Sequence, residues 1–347
     1  MSRVLASIVL ASLAAMAGCG RVEQAPQVGS PSILADEARE RGLKNLFVNP
    51  SAQAVVAGAQ PSDADASLAA TACRNPSEWR KLDRDRRFDG VLLTGSLAEF
   101  QPLLNHLAES PDFRVTLVNH WGVLFTRQRP EPYNPPSPEK VEADSAEARP
   151  VILSQTALFL DGVGLRREAT AYMEAALQAA PDDPTVHARA AALALSRGRN
   201  REAIERSDAA LKIDPSHAGA LEVKASALAG VGAATLAWQT AERLLNAASP
   251  DDMHVLYLHA RLANAAAAYT REQDSLERLV KLAEARGLPA GDYRVYLGQC
   301  YARQGLARPA LEQLELAAKS PGLSEDQQAD IATAIQTVRK HVGDLSR

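Results

Sequence analysis

Chemistry in this chain of 347 residues would have to come from few side chains. His106 and His120 could approach each other, and Asp89 stands at the start of a strand. A helical His106 is better read as a partly buried or surface residue, and His120 with Trp121 as a turn whose indole packs on a sheet. His254 and His259 are five residues apart, which on an α-helix separates them by roughly 140°. That is poor geometry for sharing a metal, and a surface or interhelix role fits better. Arg80, Lys81, Arg84, Arg86 and Arg87 form a basic run, but Asp83 and Asp85 interleave with it, as on a solvated helix face. Cys300, beside Gln299 and Tyr301, reads as a buried thiol, with a Cys73–Cys300 disulfide as the alternative. No HExxH helix, glycine-rich phosphate loop, Cys-x-x-Cys pair or G-x-S-x-G elbow occurs. The expectation is no catalytic residue, no metal site and no cofactor.

Composition narrows the class. Hydrophobic residues make up 46% and charged residues 23% of the chain, with a net charge of −4. These are globular values, and they supply no basic footprint for nucleic acid. Aromatics at 5% argue against a stacking platform, and three cysteines exclude a disulfide-built scaffold.

The amino terminus has its own logic. Arg3 precedes an apolar run, Val4 to Ala15, too short for a permanent membrane span. Met16-Ala17-Gly18-Cys19 then resembles the bacterial lipobox, with Met16 where leucine is usual. The resemblance implies that residues 1–18 are removed and that Cys19 is lipidated, its acyl chains anchoring the protein at about 0.8 kcal/mol per buried CH₂. Residues 19–31 suit a tether. The implied address is the periplasmic side of the cell envelope, with Gly20 favouring the outer membrane over the inner. An ordinary secretory peptide with a chance cysteine is the alternative.

Residues 32–127 read as a small α/β domain. Ser32–Arg41 is helical and stops at Gly42, Leu46–Val48 is a strand, and Ser51–Ala72 shows no period and is read as irregular. A helix over Trp79–Arg87 and a buried strand over Val91–Leu93 follow. Ser96-Leu97-Ala98-Glu99 forms a capping box that opens a helix through Leu107. Val115–Val118 and Val123–Thr126 flank Asn119-His120-Trp121-Gly122, read as a four-residue hairpin connection. The series Phe88-Asp89-Gly90-Val91-Leu92-Leu93, helix, Phe113–Val118 and Val123–Arg127 resembles the small soluble domain that follows the membrane helices of some bacterial membrane glycosyltransferase-like proteins. In those relatives the chemistry belongs to the membrane part, so transferase activity does not carry over.

Five prolines in residues 128–138 mark a semi-rigid connector, and residues 128–149 are read as a linker. Beyond it 43 of residues 151–343 are alanine. Gly164, Gly198 and Gly232 recur every 34 residues, as do Ala169, Ala203 and Ala237, while Pro181 and Pro215 keep the same period. Leu297-Gly298, Tyr301, Ala310 and Ala317 complete the most faithful copy. This is the spacing of the tetratricopeptide repeat (TPR). The resemblance implies four or five helix-A/helix-B pairs over residues 150–323, forming an α-α superhelical solenoid closed by a capping helix at 324–343. One copy, near 253–288, is degenerate and has no turn glycine.

In that family, helix A lines a groove. Its positions here are Val151, Ser154, Leu158 and Asp161; Thr185, Ala188, Ala192 and Leu195; Gly219, Glu222, Ser226 and Ala229; and Asp292, Val295, Gln299 and Ala302. Leu158, Ala188, Ala192, Leu195, Glu222, Ser226, Val295 and Gln299 are the candidate lining. None of the sixteen is Lys, Arg or Asn, so the family's clamp for carboxylate tails is missing. The expected function is that of a non-enzymatic, membrane-anchored adaptor holding a protein partner, as a helix or an extended segment, or its own α/β domain. The alternative is a glycan-related accessory protein or enzyme acting through the α/β domain.

Overall fold

The computed structural model describes residues 32–50, 63–95, 97–127, 133–143, 145–320 and 325–345. Cys19 and the Ser96 end of the capping box lie outside them. The chain divides between Gly230 and Val231 into two compact units.

The first unit opens with helix α1 (Ser32–Glu40) and strand β1 (Leu46–Val48), then α2 (Asp63–Arg74), α3 (Pro76–Arg86), β2 (Gly90–Thr94), α4 (Leu97–Glu109) and the hairpin β3 (Arg114–Asn119) and β4 (Gly122–Thr126). The strands form one sheet in the order β1-β2-β4-β3, with β1 parallel to β2 and the other pairs antiparallel. Every residue of β2 is buried, which is why Val91-Leu92-Leu93 is an unbroken apolar run rather than an alternating one. Leu92 and Leu124 pack with Leu34, Ala35 and Ala38 of α1. Val91, Leu93, Val123 and Phe125 join Trp79, Phe100, Leu103 and Leu107 in the larger core.

Two polar devices fix the strand ends. Asn49 is buried and uses its side chain as a ladder rung, donating to Thr94 O at 2.8 Å and accepting from Thr94 N at 2.9 Å. The Arg127 guanidinium is held by both carboxylate oxygens of Asp83, donates to Phe88 O and lies over the Phe113 ring. Asp83 therefore leaves the interleaved charge run to tie α3 to β4. Asp89 is likewise structural, accepting from the backbone of Lys44 and Asn45.

Three local expectations change. Residues 63–72, read as irregular, are helical in α2. Helix α3 starts earlier than Trp79, because Asn75 caps it and Pro76 supplies a preset first φ. The hairpin connection is two residues, His120 and Trp121, since Asn119 pairs with Gly122 and its side chain accepts from Trp121 N and Gly122 N.

The proline-containing stretch is anchored within this unit. The Tyr133 hydroxyl donates to Val118 O, and the Tyr172 hydroxyl to Pro136 O. Helices α5 (Ala148–Gly162), α6 (Arg166–Ala179), α7 (Pro184–Ser196), α8 (Asn200–Ile213) and α9 (Ala218–Gly230) follow. The core that holds Trp79 and Phe100 runs on through Phe159, Ala191 and Val223. Phe100 of α4 stacks on Phe159 of α5, ring centroids 6.4 Å apart.

The second unit contains α10 (Ala234–Ala247), α11 (Met253–Ala265), α12 (Tyr269–Ala285), α13 (Gly291–Arg303), α14 (Ala307–Ala318) and α15 (Glu325–Leu345). Here α11 pairs with α12 and α13 with α14, and α15 packs on α14.

Hairpin turns share one mechanism. Gly198 N bonds to Leu195 O and Arg199 N to Ala194 O, the paired bonds of a Schellman ending. Gly164, Gly198, Gly232 and Gly305 sit at φ of +85°, +71°, +81° and +76°, the left-handed region that such endings require. The degenerate copy makes the same turn without glycine: Ala267 takes φ +58°, with Ala267 N on Asn264 O and Ala268 N on Ala263 O. Its extra length goes into α12, 17 residues against 14 in α6, α8 and α10. The fold class is thus α/β plus all-α: a small N-terminal sheet domain followed by TPR-like helical hairpins.

Candidate functional site

The side chains singled out in the sequence divide by unit. In the first unit Leu158, Ala188, Ala192, Leu195, Glu222 and Ser226 are all buried, Ala192 completely. They do not line an open groove. Alanine reaches little beyond the backbone, and the A helices α5, α7 and α9 pack directly on one another. The polar groups at neighbouring positions are spent on interhelix clamps. Arg189 donates to Val151 O and to Ser154 Oγ, each at 3.0 Å. Asp161 receives Ser196 Oγ at 2.8 Å and Arg197 Nε at 2.8 Å, and Arg197 also reaches Thr170 Oγ1 and Arg166 O. The α/β domain seats on α5 as well: a side chain on Gly162 would meet Leu104 of α4 at 2.7 Å.

In the second unit Val295 is half-buried beside Leu314 and Val338. Gln299 lines a cleft with Ala302, Arg303, Asp330, Thr333 and Val338, so α15 faces this part of α13.

An open site lies elsewhere in the second unit. Tyr257 of α11 meets Tyr293 and Tyr296 of α13, with centroid distances of 6.2 and 5.9 Å and interplanar angles of 62° and 48°. Met253, His254, Pro289 and Asp292 complete a depression of about 410 Å³ around them. Tyr296 is 41% exposed, and Leu288, next to Pro289 in sequence, is 49% exposed. Burial and the neighbouring Tyr296 hydroxyl push the Tyr257 phenol up to about 12, so it stays a neutral hydrogen-bonding group at physiological pH. Arg261 places its guanidinium 5.6 Å from the Tyr257 ring centroid.

Sequence reasoning passed over Tyr257 because the degenerate copy has no turn glycine to set its phase. The signal was present: Asp252 caps α11 as Asp183 caps α7, each accepting from the second and third following amides. Counting from that cap places His254, Tyr257 and Arg261 at the positions that Thr185, Ala188 and Ala192 hold on α7.

The remaining candidates are distributed over both units. His259 is buried, its Nδ1 2.8 Å from Ser275 Oγ and its Nε2 3.3 Å from Glu242 Oε1, while His254 lines the depression. His106 is half-buried on α4, and His120 rests on Trp121. Cys73 and Cys300 are buried free thiols, each pushed up to about 12 by burial, so neither is a ready nucleophile. Among the described residues no His/Cys/Asp/Glu cluster has metal-binding geometry, and no helix is long and apolar enough to cross a membrane.

No family model and no curated protein matches the chain. Solved structures are similar at fold level. MamA from residue 41 to its end, of Desulfovibrio magneticus RS-1, is 19% identical over 51% of this chain and 95% of its own, TM-score 0.42. YrrB, a TPR protein with an unusual peptide-binding site, is 16% identical over 55% and 91%, TM-score 0.44. Pseudomonas aeruginosa PilF is 14% identical over 58% and 93%, TM-score 0.44. Read from its own 34-residue spacing and left-handed turns, the helical part of this chain is of TPR type.

Proposed function

We propose that the chain is a non-enzymatic adaptor, lipid-anchored through Cys19 on the periplasmic side of the cell envelope and on the outer membrane in preference to the inner, that holds a protein partner on its helical repeats. The observation that carries the binding role is the open tyrosine depression between α11 and α13. Tyrosine, methionine and arginine are the side chains that concentrate binding energy at interfaces, and they gather in the second unit, whereas in the first the small-residue faces of α5, α7 and α9 are closed. The lipid anchor rests on the Met16-Ala17-Gly18-Cys19 pattern.

A photo-crosslinking residue in place of Tyr296, with a matched control at exposed Arg199, tests the binding role in native membranes. The expected result is a discrete covalent product from position 296 and none from 199. Equal or absent products from both would overturn it. For the anchor, Cys19→Ala should move the protein from the membrane fraction to the soluble fraction; unchanged fractionation would overturn the lipid assignment.

A further inference from the structure

Resting on the adaptor reading above, we infer that the depression between α11 and α13 takes an extended, proline-containing peptide segment that carries a basic residue. Tyr257, Tyr293 and Tyr296 are held at 62° and 48° to one another rather than stacked. At these separations the rings touch one another and line the depression with aromatic surface, and a saturated, puckered pyrrolidine ring packs against such a surface. A polyproline II segment repeats every three residues with a rise of about 3.1 Å, presents such rings along an edge and makes no internal hydrogen bonds. Its carbonyls therefore remain available to donors, which the phenol groups of the tyrosines lining the depression can supply. Being ordered before it binds, such a segment loses little conformational entropy on docking.

The dimensions favour this occupant over a helix. An amphipathic helix docks through anchors at i, i+3, i+4 and i+7 and needs an apolar strip more than two turns long. The lining here spans only about one turn of each helix, Met253 to Tyr257 on α11 and Asp292 to Tyr296 on α13, and His254 and Asp292 interrupt its apolar surface. Charge sets the flank. Asp292 is exposed at the edge of the depression and supplies the carboxylate for a Lys or Arg in the bound segment. Arg261, over Tyr257, disfavours a cation at that ring and so places the basic residue on the Asp292 side.

The test uses the full-length lipidated protein in detergent micelles and a fluorescein-labelled peptide of two arginines followed by three Pro-Pro-Leu units. Controls are the same peptide with every proline replaced by alanine, and one with the arginines replaced by glycine. Fluorescence anisotropy should show saturable binding of the proline peptide and at least tenfold weaker binding of the alanine peptide. Tyr293→Ala with Tyr296→Ala should weaken the proline peptide at least tenfold. Asp292→Lys should weaken it several-fold while leaving the arginine-free peptide unchanged. Asp292 is a surface residue, so its variant reports on binding even where the double tyrosine variant fails to fold, which circular dichroism melting would reveal. No saturable binding, equal binding of the alanine peptide, or capture of a neutral oligosaccharide at the same tyrosines would overturn the inference. A discrete crosslink from position 296 without proline-peptide binding would leave the adaptor reading standing and remove this one; failure of both would remove both.

Discussion

In the unit that ends at Gly230, the first helices of successive hairpins pack on one another, and their Ala157, Ala188, Ala191 and Ala225 are all buried. In the unit that starts at Val231, α11 and α13 meet through Tyr257, Tyr293 and Tyr296. The same hairpin plan thus produces two kinds of surface. Alanine lets helices approach until their shared face closes, and the polar positions there become clamps such as Arg197 on Asp161, whose side chains are only 11% and 12% exposed. Tyrosine holds neighbours apart on rigid rings and leaves edges and hydroxyls accessible. The alanine-rich face stabilises; the tyrosine face can recognise.

This contrast can be broken at several points. The largest effect is expected at the ring that joins the α/β domain to the repeats. Phe159→Ala removes the stack on Phe100 and should cost about 3–5 kcal/mol in denaturant unfolding. Tyr296→Ala, at a half-open position, should cost within about 0.5 kcal/mol yet abolish the position-specific partner contact. If the two substitutions cost the same, the division between a closed and an open face is wrong.

A smaller loss is expected from overfilling. Ala192→Leu places extra methylenes where there is no exposed surface and should cost about 1–3 kcal/mol. A melting temperature equal to that of the parent would show that the face is open after all.

His259 gives the second unit a pH dependence, and His217 of the first unit, also lowered by burial, gives one of the same sign. Burial lowers the His259 pKa below its ordinary value, although Glu242 opposes the shift; Arg271 and Arg278 also face it. The folded chain therefore takes up this proton less readily than the unfolded chain. The contribution is fully present above the unfolded pKa of about 6.5 and is lost as pH falls through that value toward the lowered folded one. Unfolding free energy should drop by at most about 1.4 kcal/mol per pH unit from this single proton. His259→Gln should reduce that slope between about pH 7 and pH 5; an unchanged slope would remove His259 from its sources.

Effects of opposite sign are expected at the turns. Gly198 sits at φ +71° with open space where a Cβ would go, so Gly198→Ala should cost about 1–2 kcal/mol from backbone strain alone. Ala267 already bears that strain at φ +58°, and Ala267→Gly should raise stability by about 0.5–1 kcal/mol. Loss of stability in Ala267→Gly would mean that the alanine is held by something other than the turn.

These residues also explain what the sequence disclosed. The 34-residue period was legible because left-handed turns select glycine and close helix approach selects alanine, so backbone geometry is written directly as residue type. The fourth turn was not legible, because Ala267 adopts the same conformation at an energetic cost that leaves no mark in composition. Without its phase Tyr257 fell out of the candidate lining, and an aromatic content of 5% averaged away three tyrosines that folding gathers. Burial of Ala192 could not be read from repeat phase, because phase gives the direction of a side chain and not what packs against it. The two-residue turn at His120 and Trp121 was hidden for a related reason: the Asn119 side chain, not a glycine pair, caps it.

The most direct measurement is thiol accessibility in the folded protein. With Cys19, Cys73 and Cys300 replaced by alanine, Tyr296→Cys and Ala192→Cys are treated separately with a maleimide under native conditions and after denaturation. The cysteine at position 296 should label rapidly in the native state, and the one at position 192 only after unfolding. Native labelling at 192 as fast as at 296 would contradict this, returning the search for the partner to the alanine-rich face of α5, α7 and α9.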